Sequence, residues 1–452
     1  MDLSKLETAL NDFEIKVRSC ALRELVAAGL PAVQSRDDVN LHIHTFYSYN
    51  AEGWSPSRTA WEMHRRGLFA AGIIDFDVLD GMEEFFACGE WLGLRTSVGV
   101  ETRVFYKEYA SREIDSPGEP GVHYVGGAGF TRTFSGGSPQ AEGLAFYRHA
   151  AQTRNRALIE RINPHVPAIA LNYEADVLPR SPGQCPTERH IIAAYIDKSL
   201  ASLGESQLAT FWSNLLGVAA SAVPGLLANR AAWEDKVRAK LAKRGGLGYE
   251  QPTSRSFPLM EEFFDWVKSC GAIPMESWLD GTSEGESDGA TLLELSVAKG
   301  ARALNIIPDR NWNIADPALK AVKVNCLRRI VDLAKAMDLP IMIGTEMNRA
   351  GLPYVDDLAG PVLGEFKGAF LRGASVLVGH TVCARFAGFP YVGMPAEESF
   401  KSRAEQNDFF ASVGRLPPVT CALSQQLREG GPERALDAIR DAVNAGRWRA
   451  GL

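Results

Sequence analysis

The feature that most constrains this 452-residue chain is an alternation of short apolar runs and helical patterns between residues 39 and 101, each run delivering a polar residue. Val39-Asn40-Leu41-His42-Ile43-His44 reads as a strand ending in a polar, aromatic loop. Ser55-Pro56 supplies a cap and a first-turn proline for a helix running to about Arg66, which Gly67 ends. Phe69 to Ile74 is a second strand leading into Asp75, Met82 to Gly93 a second helix, and Thr96 to Val100 a third strand that delivers Glu101. Strand and helix alternating at this spacing predict a parallel α/β sheet.

The alternation resumes after residue 258, with helices over 261–269, 291–299 and 321–337 and strands over 272–275, 303–307 and 340–343. Between them, residues 136–257 are Ala-rich, interrupted by prolines and without a clear strand, so they read as a helical insertion. The expected organisation is an N-terminal helix within 1–35, patterned up to Gly29 and Pro31, then a first barrel part (36–135), the insertion (136–257), a second barrel part (258–395) and a helical tail (396–452). Leu208 to Ala228 carries no charge over a length that could span a bilayer. Its hydroxyl, amide and small side chains instead predict a buried helix interrupted near Pro224-Gly225.

A net charge of −7 and basic runs no longer than Arg65-Arg66 or Lys243-Arg244 argue against a nucleic-acid surface. Seven scattered cysteines without a CxxC pair suit a reducing compartment. Asp2, Glu7, Asp12 and Glu14 near the start speak against a signal peptide. The expectation is a cytoplasmic protein acting on a small molecule, without nucleic acid or membrane, and of open oligomeric state.

His42 and His44 are two apart on a strand, so their side chains project to one side and can reach one ion. Asp75, Glu101 and His123, the last within Gly121-Val122-His123-Tyr124-Val125, follow the same strand-associated pattern. The C-terminal ends of barrel strands are where active sites are built. Two later loops follow strands and would roof such a site, one starting at Trp278 and Asp280, the other carrying Asp309, Arg310 and Asn311. The planar fork of Arg310 suits a carboxylate or phosphate, or pairs with Asp309 to pin the loop. P-loop, GxSxG and dinucleotide fingerprints are absent.

In this order, Asn40-Leu41-His42-Ile43-His44-Thr45, Ser55-Pro56, Gly72-Ile73-Ile74-Asp75-Phe76-Asp77, Asp80-Gly81 and Gly99-Val100-Glu101 resemble the PHP (polymerase and histidinol phosphatase) superfamily, as does His123 before Tyr124-Val125-Gly126. Gly344-Thr345-Glu346-Met347-Asn348 stands where that family writes G-S/T-D-x-H. The resemblance covers about residues 38–130 and, more loosely, 260–350. It implies a distorted, TIM-type seven-stranded β/α barrel that holds divalent ions and hydrolyses phosphoesters, with amidohydrolase relatives. It implies that His42, His44, Glu101 and Glu346 hold a first ion, with Glu101 bridging to a second on His123. The chain departs from the pattern at Tyr49, Phe76 and Asn348, where the family's third ion is held. No histidine falls near Met275-Glu276-Ser277-Trp278, where Glu276 is either a substitute ligand or a structural carboxylate.

One or two ions of Zn, Mn or Fe are therefore expected, with Asn348 and His190 as further substrate contacts, His190 alternatively as a helix cap. The leading expectation is a metal-dependent hydrolase of a small phosphorylated or amide substrate, using metal-activated water. Glu101, Asp75 and Arg310 are its candidate catalytic residues. The alternatives are a metal-dependent isomerase or lyase acting on a sugar or sugar acid, and a degenerate barrel with a binding role.

Overall fold

Gly344 stands where the sheet closes on itself. A side-chain carbon there would lie 2.4 Å from the backbone nitrogen of His42, so only glycine lets the last strand approach the first. In the computed structural model, which describes residues 2–29, 33–34 and 36–449, the strands are β1 Val39–Ile43, β2 Ala70–Phe76, β3 Arg95–Phe105, β4 Val122–Ala128, β5 Ile273–Trp278, β6 Ala303–Ile306 and β7 Ile341–Ile343. They form one seven-stranded sheet in sequence order. Just past β7, the Glu346 amide donates to the His42 carbonyl at 2.8 Å and the His44 amide to the Glu346 carbonyl at 3.0 Å. The result is a nearly closed, distorted TIM-type barrel with helices around it.

The strands of the two alternating stretches pair parallel, as expected, while β4 between them runs antiparallel to both β3 and β5. Only residues 106–121 connect β3 to β4, with a single helical turn at Lys107–Tyr109, whereas a parallel return needs a longer crossover. β3 also runs on to Phe105, so Glu101 sits inside a strand rather than at its end, and Glu276 likewise lies within β5.

Local signals account for several helices. Ser55 accepts from the Arg58 amide ahead of Pro56–Arg65, and Ser138 does the same for Ala141 ahead of Pro139–Ile162. The N-terminal pattern is not one helix but two, Leu3–Ala9 and Ile15–Ala27. Asp12 accepts from the Glu14 amide at 2.7 Å in the break between them. Gly29 is described, whereas Pro31 lies outside the described residues.

The elements from Pro139 to Leu241 are all helical and share a core around Ile162, Tyr195, Trp212 and Trp233. The uncharged segment among them is not a buried helix. It splits into Glu205–Leu216 and Ala220–Ala228, bent by 109°, with Leu208, Trp212 and Val223 as its buried residues. The break falls at Gly217, in the left-handed region, rather than at Pro224. Among the described residues no single helix is long and apolar enough to cross a membrane.

Candidate metal centre

β1 ends with His42 and His44 on one side of the strand, and β3 brings Glu101 to meet them. Glu101 Oε2 lies 3.5 Å from His42 Nε2 and 3.3 Å from His44 Nε2. The ligand atoms of the three residues all lie within 4.8 Å of one another, and all three residues are buried. Those three atoms have no hydrogen-bond partner among the described residues, and leaving a buried polar atom unsatisfied costs about 1–3 kcal/mol. Burial works to raise the Glu101 pKa, but the adjacent His42 and His44 outweigh it and hold it down at about 2. Burial alone would lower the His42 pKa, yet Glu101 beside it carries it above its ordinary value.

The network behind the imidazoles sets which nitrogen faces Glu101. His42 Nδ1 lies 3.2 Å from Asn305 Oδ1, an acceptor, so Nδ1 carries the proton. Ser48 Oγ donates to Asp75 Oδ1 at 2.6 Å, which leaves that oxygen to accept from His44 Nδ1 at 3.3 Å. Both rings thereby turn an unprotonated Nε2 toward the carboxylate, the arrangement a divalent cation requires. Mixed imidazole and carboxylate donors suit Zn, Mn or Fe rather than Ca.

Two residues beside the cluster are backbone outliers. Asp77 and Glu346 have φ of 59° each, and non-glycine residues in that region cost of order 1–3 kcal/mol. Both line a cavity of about 710 Å³, whose wall also includes Glu101, Tyr49, Phe76, Tyr124 and Asn348. Asp77 takes a hydrogen bond from Thr102 Oγ1 at 2.6 Å. Burial, partly opposed by Arg154, pushes its carboxyl above the ordinary range.

Other expected site residues are placed differently. Asp75 does not line the cavity; its carboxylate is consumed by the Thr45 amide and hydroxyl and by Ser48, and so pins the loop after β1. His123 does not join the cluster. Its Nε2 is 2.7 Å from Glu276 and its Nδ1 3.1 Å from Asp115, and these two carboxylates hold it as an imidazolium despite burial. Glu276 is thereby a partner of His123 rather than a member of the three-residue group.

Glu346 sits near the imidazoles, but its Oε2 pairs with Arg310 at 2.9 Å, so Arg310 is bound by Glu346 and not by Asp309. His190 lies outside the cavity wall, caps its own helix by accepting from the Thr187 amide, and packs edge-on against Tyr49. Asn311 donates to the Leu279 carbonyl and ties two loops together. Trp278, Asp280 and Asp309 do line the cavity, Asp280 held by Lys323 at 2.7 Å.

No family model and no curated protein matches the sequence. Two solved structures resemble the chain in outline. An amidohydrolase from Chromobacterium violaceum aligns with TM-score 0.47 and 15% identity over 74% of this chain and 96% of that one. A Bifidobacterium adolescentis protein named as a metal-dependent phosphoesterase aligns with TM-score 0.46 and 18% identity over 75% and 97%. At this distance neither likeness says anything of the chemistry here.

Sequence reading missed Asn305, Ser48 and Asp115, which act on the histidines from behind, as well as Asp77 and Arg154 on the cavity wall. The signal for Asn305 was legible, a polar residue inside an apolar strand.

Proposed function

We propose that this chain is a metal-dependent hydrolase of the PHP type acting on a small phosphorylated or amide substrate, in the cytoplasm and without nucleic acid. The observation that carries the reading is the trio of buried, partnerless ligand atoms, His42 Nε2, His44 Nε2 and Glu101 Oε2. A divalent transition metal held there would supply Lewis acidity and make water nucleophilic near neutral pH.

The chain's own groups do the rest. Asn305 and Ser48 fix the histidine tautomers. Phe76 covers one face of His44 and keeps water from it. Asp77, on the cavity wall and held by Thr102 Oγ1 at 2.6 Å, is the carboxylate that offsets the charge of Arg154. All seven cysteines are free, which suits the compartment proposed.

Metal analysis of purified protein tests the reading. We expect about one equivalent of transition metal or more in the wild type, and loss of both metal and turnover in Glu101→Ala with the fold retained. Metal below about a tenth of an equivalent even after reconstitution, or an active, metal-replete Glu101→Ala, would overturn it. Release of phosphate or of a carboxylate is the expected product signal, whereas a new carbonyl would point to an isomerase or lyase.

A further inference from the structure

We propose that the helical insertion builds an oxyanion subsite on Arg154, with Arg103 beside it, which binds a carboxylate or phosphate group of the substrate away from the bond that is broken. The proposal rests on the hydrolase reading only for the word substrate. The subsite itself stands on the geometry of the cavity wall.

Most cationic side chains on that wall already have a carboxylate. Arg310 has Glu346 at 2.9 Å, Lys323 has Asp280 at 2.7 Å, and Arg238 has Glu188 at 2.5 Å. Lys243 lies 3.4 Å from both Glu119 and Glu188. Arg189 and Arg349 reach Asp235 at 4.0 and 3.4 Å. Arg154 is different: among the described residues it makes no ion pair, and its hydrogen bond is a 3.4 Å contact to the Ser256 carbonyl.

It is also held beside a like charge. The guanidinium carbons of Arg154 and Arg103 lie 4.7 and 4.9 Å from the centre of the Phe257 ring. Arg103 is fixed there by Glu119 at 3.3 Å. Burial, chiefly, and the neighbouring Arg103 lower the Arg154 pKa to about 10, against the opposing pull of Asp77. A desolvated cation next to another cation is unfavourable unless an anion completes the site. The open donors of a guanidinium fork match two oxygens of one carboxylate or phosphate.

A backbone hydrogen bond between neighbouring strands ties this subsite to Glu101. The Asp77 amide donates to the Glu101 carbonyl at 3.0 Å, so the residue facing Arg154 is joined directly to the ligand strand. Arg154, Arg103 and Glu101 line the same cavity of about 710 Å³, a size that takes a small molecule. A substrate that fits both features carries an oxyanion at one end and the hydrolysable bond at the other.

The test is calorimetric titration of the full-length protein, as purified, with inorganic phosphate and, separately, with succinate. Wild type, Arg154→Gln, Arg154→Lys and His42→Ala are compared, with metal content measured on each preparation. We expect saturable binding of at least one probe, weakened about tenfold or more in Arg154→Gln and kept within a few-fold in His42→Ala. The probe that binds more tightly identifies the oxyanion as phosphate or carboxylate.

The proposal is overturned if neither probe saturates, if Arg154→Gln binds like wild type, or if binding disappears in His42→Ala while surviving in Arg154→Gln. Should Arg154→Gln not fold, Arg154→Lys decides. It keeps the charge but not the fork, and wild-type affinity in it counts against the subsite. Wild type that holds no metal yet binds a probe through Arg154 refutes the hydrolase reading and leaves the subsite standing.

Discussion

The ring of Phe76 lies parallel to the imidazole of His44, with centroids 4.8 Å apart and planes 12° apart. Phe76 occupies the place where the resembling family carries a histidine, so a position that could have donated to an ion instead covers a neighbouring ligand. The same ring leans toward Tyr124 at 5.9 Å, and both line the cavity. A stacked phenyl group fixes the plane of His44 and dries the cluster on that side.

Phe76 gives a first prediction, on the number of ions. Phenylalanine offers no donor, and the Tyr49 hydroxyl, its pKa driven up to about 12 chiefly by burial, does not ionise to become one near neutrality. We predict at most two ions per chain and slow turnover of p-nitrophenyl phosphate. Elemental analysis giving three ions, or fast hydrolysis of that ester, would return the protein to the ordinary three-ion phosphoesterases.

The hydrogen bonds behind the two histidines give a second prediction. Asn305→Ala frees His42 Nδ1, and Ser48→Ala frees His44 Nδ1. Each is expected to weaken metal binding by about 10–100-fold while the fold persists. Competition titration with a chelator measures this, and affinities equal to wild type in both variants would remove the tautomer role given to these residues.

Closure of the barrel can be broken at one atom. In Gly344→Ala the new methyl group meets the His42 backbone, which cannot retreat without moving a ligand strand. We expect a loss of about 3 kcal/mol or more in urea unfolding, accompanied by weaker metal binding. A variant of wild-type stability would show that β1 and β7 are less tightly joined than described.

A fourth prediction concerns acid stability and uses a histidine far from the metal cluster. His380 donates from Nε2 to the Gly129 carbonyl at 2.8 Å and accepts the Tyr391 amide on Nδ1 at 2.9 Å, so the buried ring is neutral. Burial pushes its pKa down to about 4 from an ordinary 6.5. Between those values the unfolded chain binds the proton more readily, so stability is full above pH 6.5 and falls as pH drops toward 4. The contribution at stake is roughly 3 kcal/mol. Denaturant midpoints for wild type and His380→Gln at pH 7 and 4.5 should differ in slope, with the variant flatter; equal slopes would refute the assignment.

The strand that carries His42 and the barrel were legible because their signals are local: apolar runs, a proline-capped helix, two histidines one residue apart. His123 was not legible. Its fate depends on Glu276, 153 positions away, and on Asp115 in a connection whose shortness was the only hint that β4 turns back. Asp75 shows the same limit from the other side. A carboxylate after an apolar strand has the same appearance in sequence whether it faces a cavity or three donors of a neighbouring loop. Arg154 is one arginine among several on an amphipathic helix. Only the three-dimensional arrangement shows that its neighbours are neutralised and it is not.

The reversed direction of β4 has a consequence for anyone who would trim this protein. β4 ends at Ala128, which pairs with Gly99 of β3 and with Ile273, the first residue of β5, on the opposite side of Glu101 from Phe105. The helix Pro139–Ile162 has 24 residues, a rise of about 36 Å, and leads from Gln140, beside Trp266, to Arg154, beside the Ser256 carbonyl. The chain rejoins the barrel at Leu259, which bridges to Phe105 at the cluster's own rim. Entry and exit of the insertion thus lie at opposite ends, and no short linker can replace what is between them. Grafting this insertion onto another barrel, or excising it from this one, means transplanting the long helix with it.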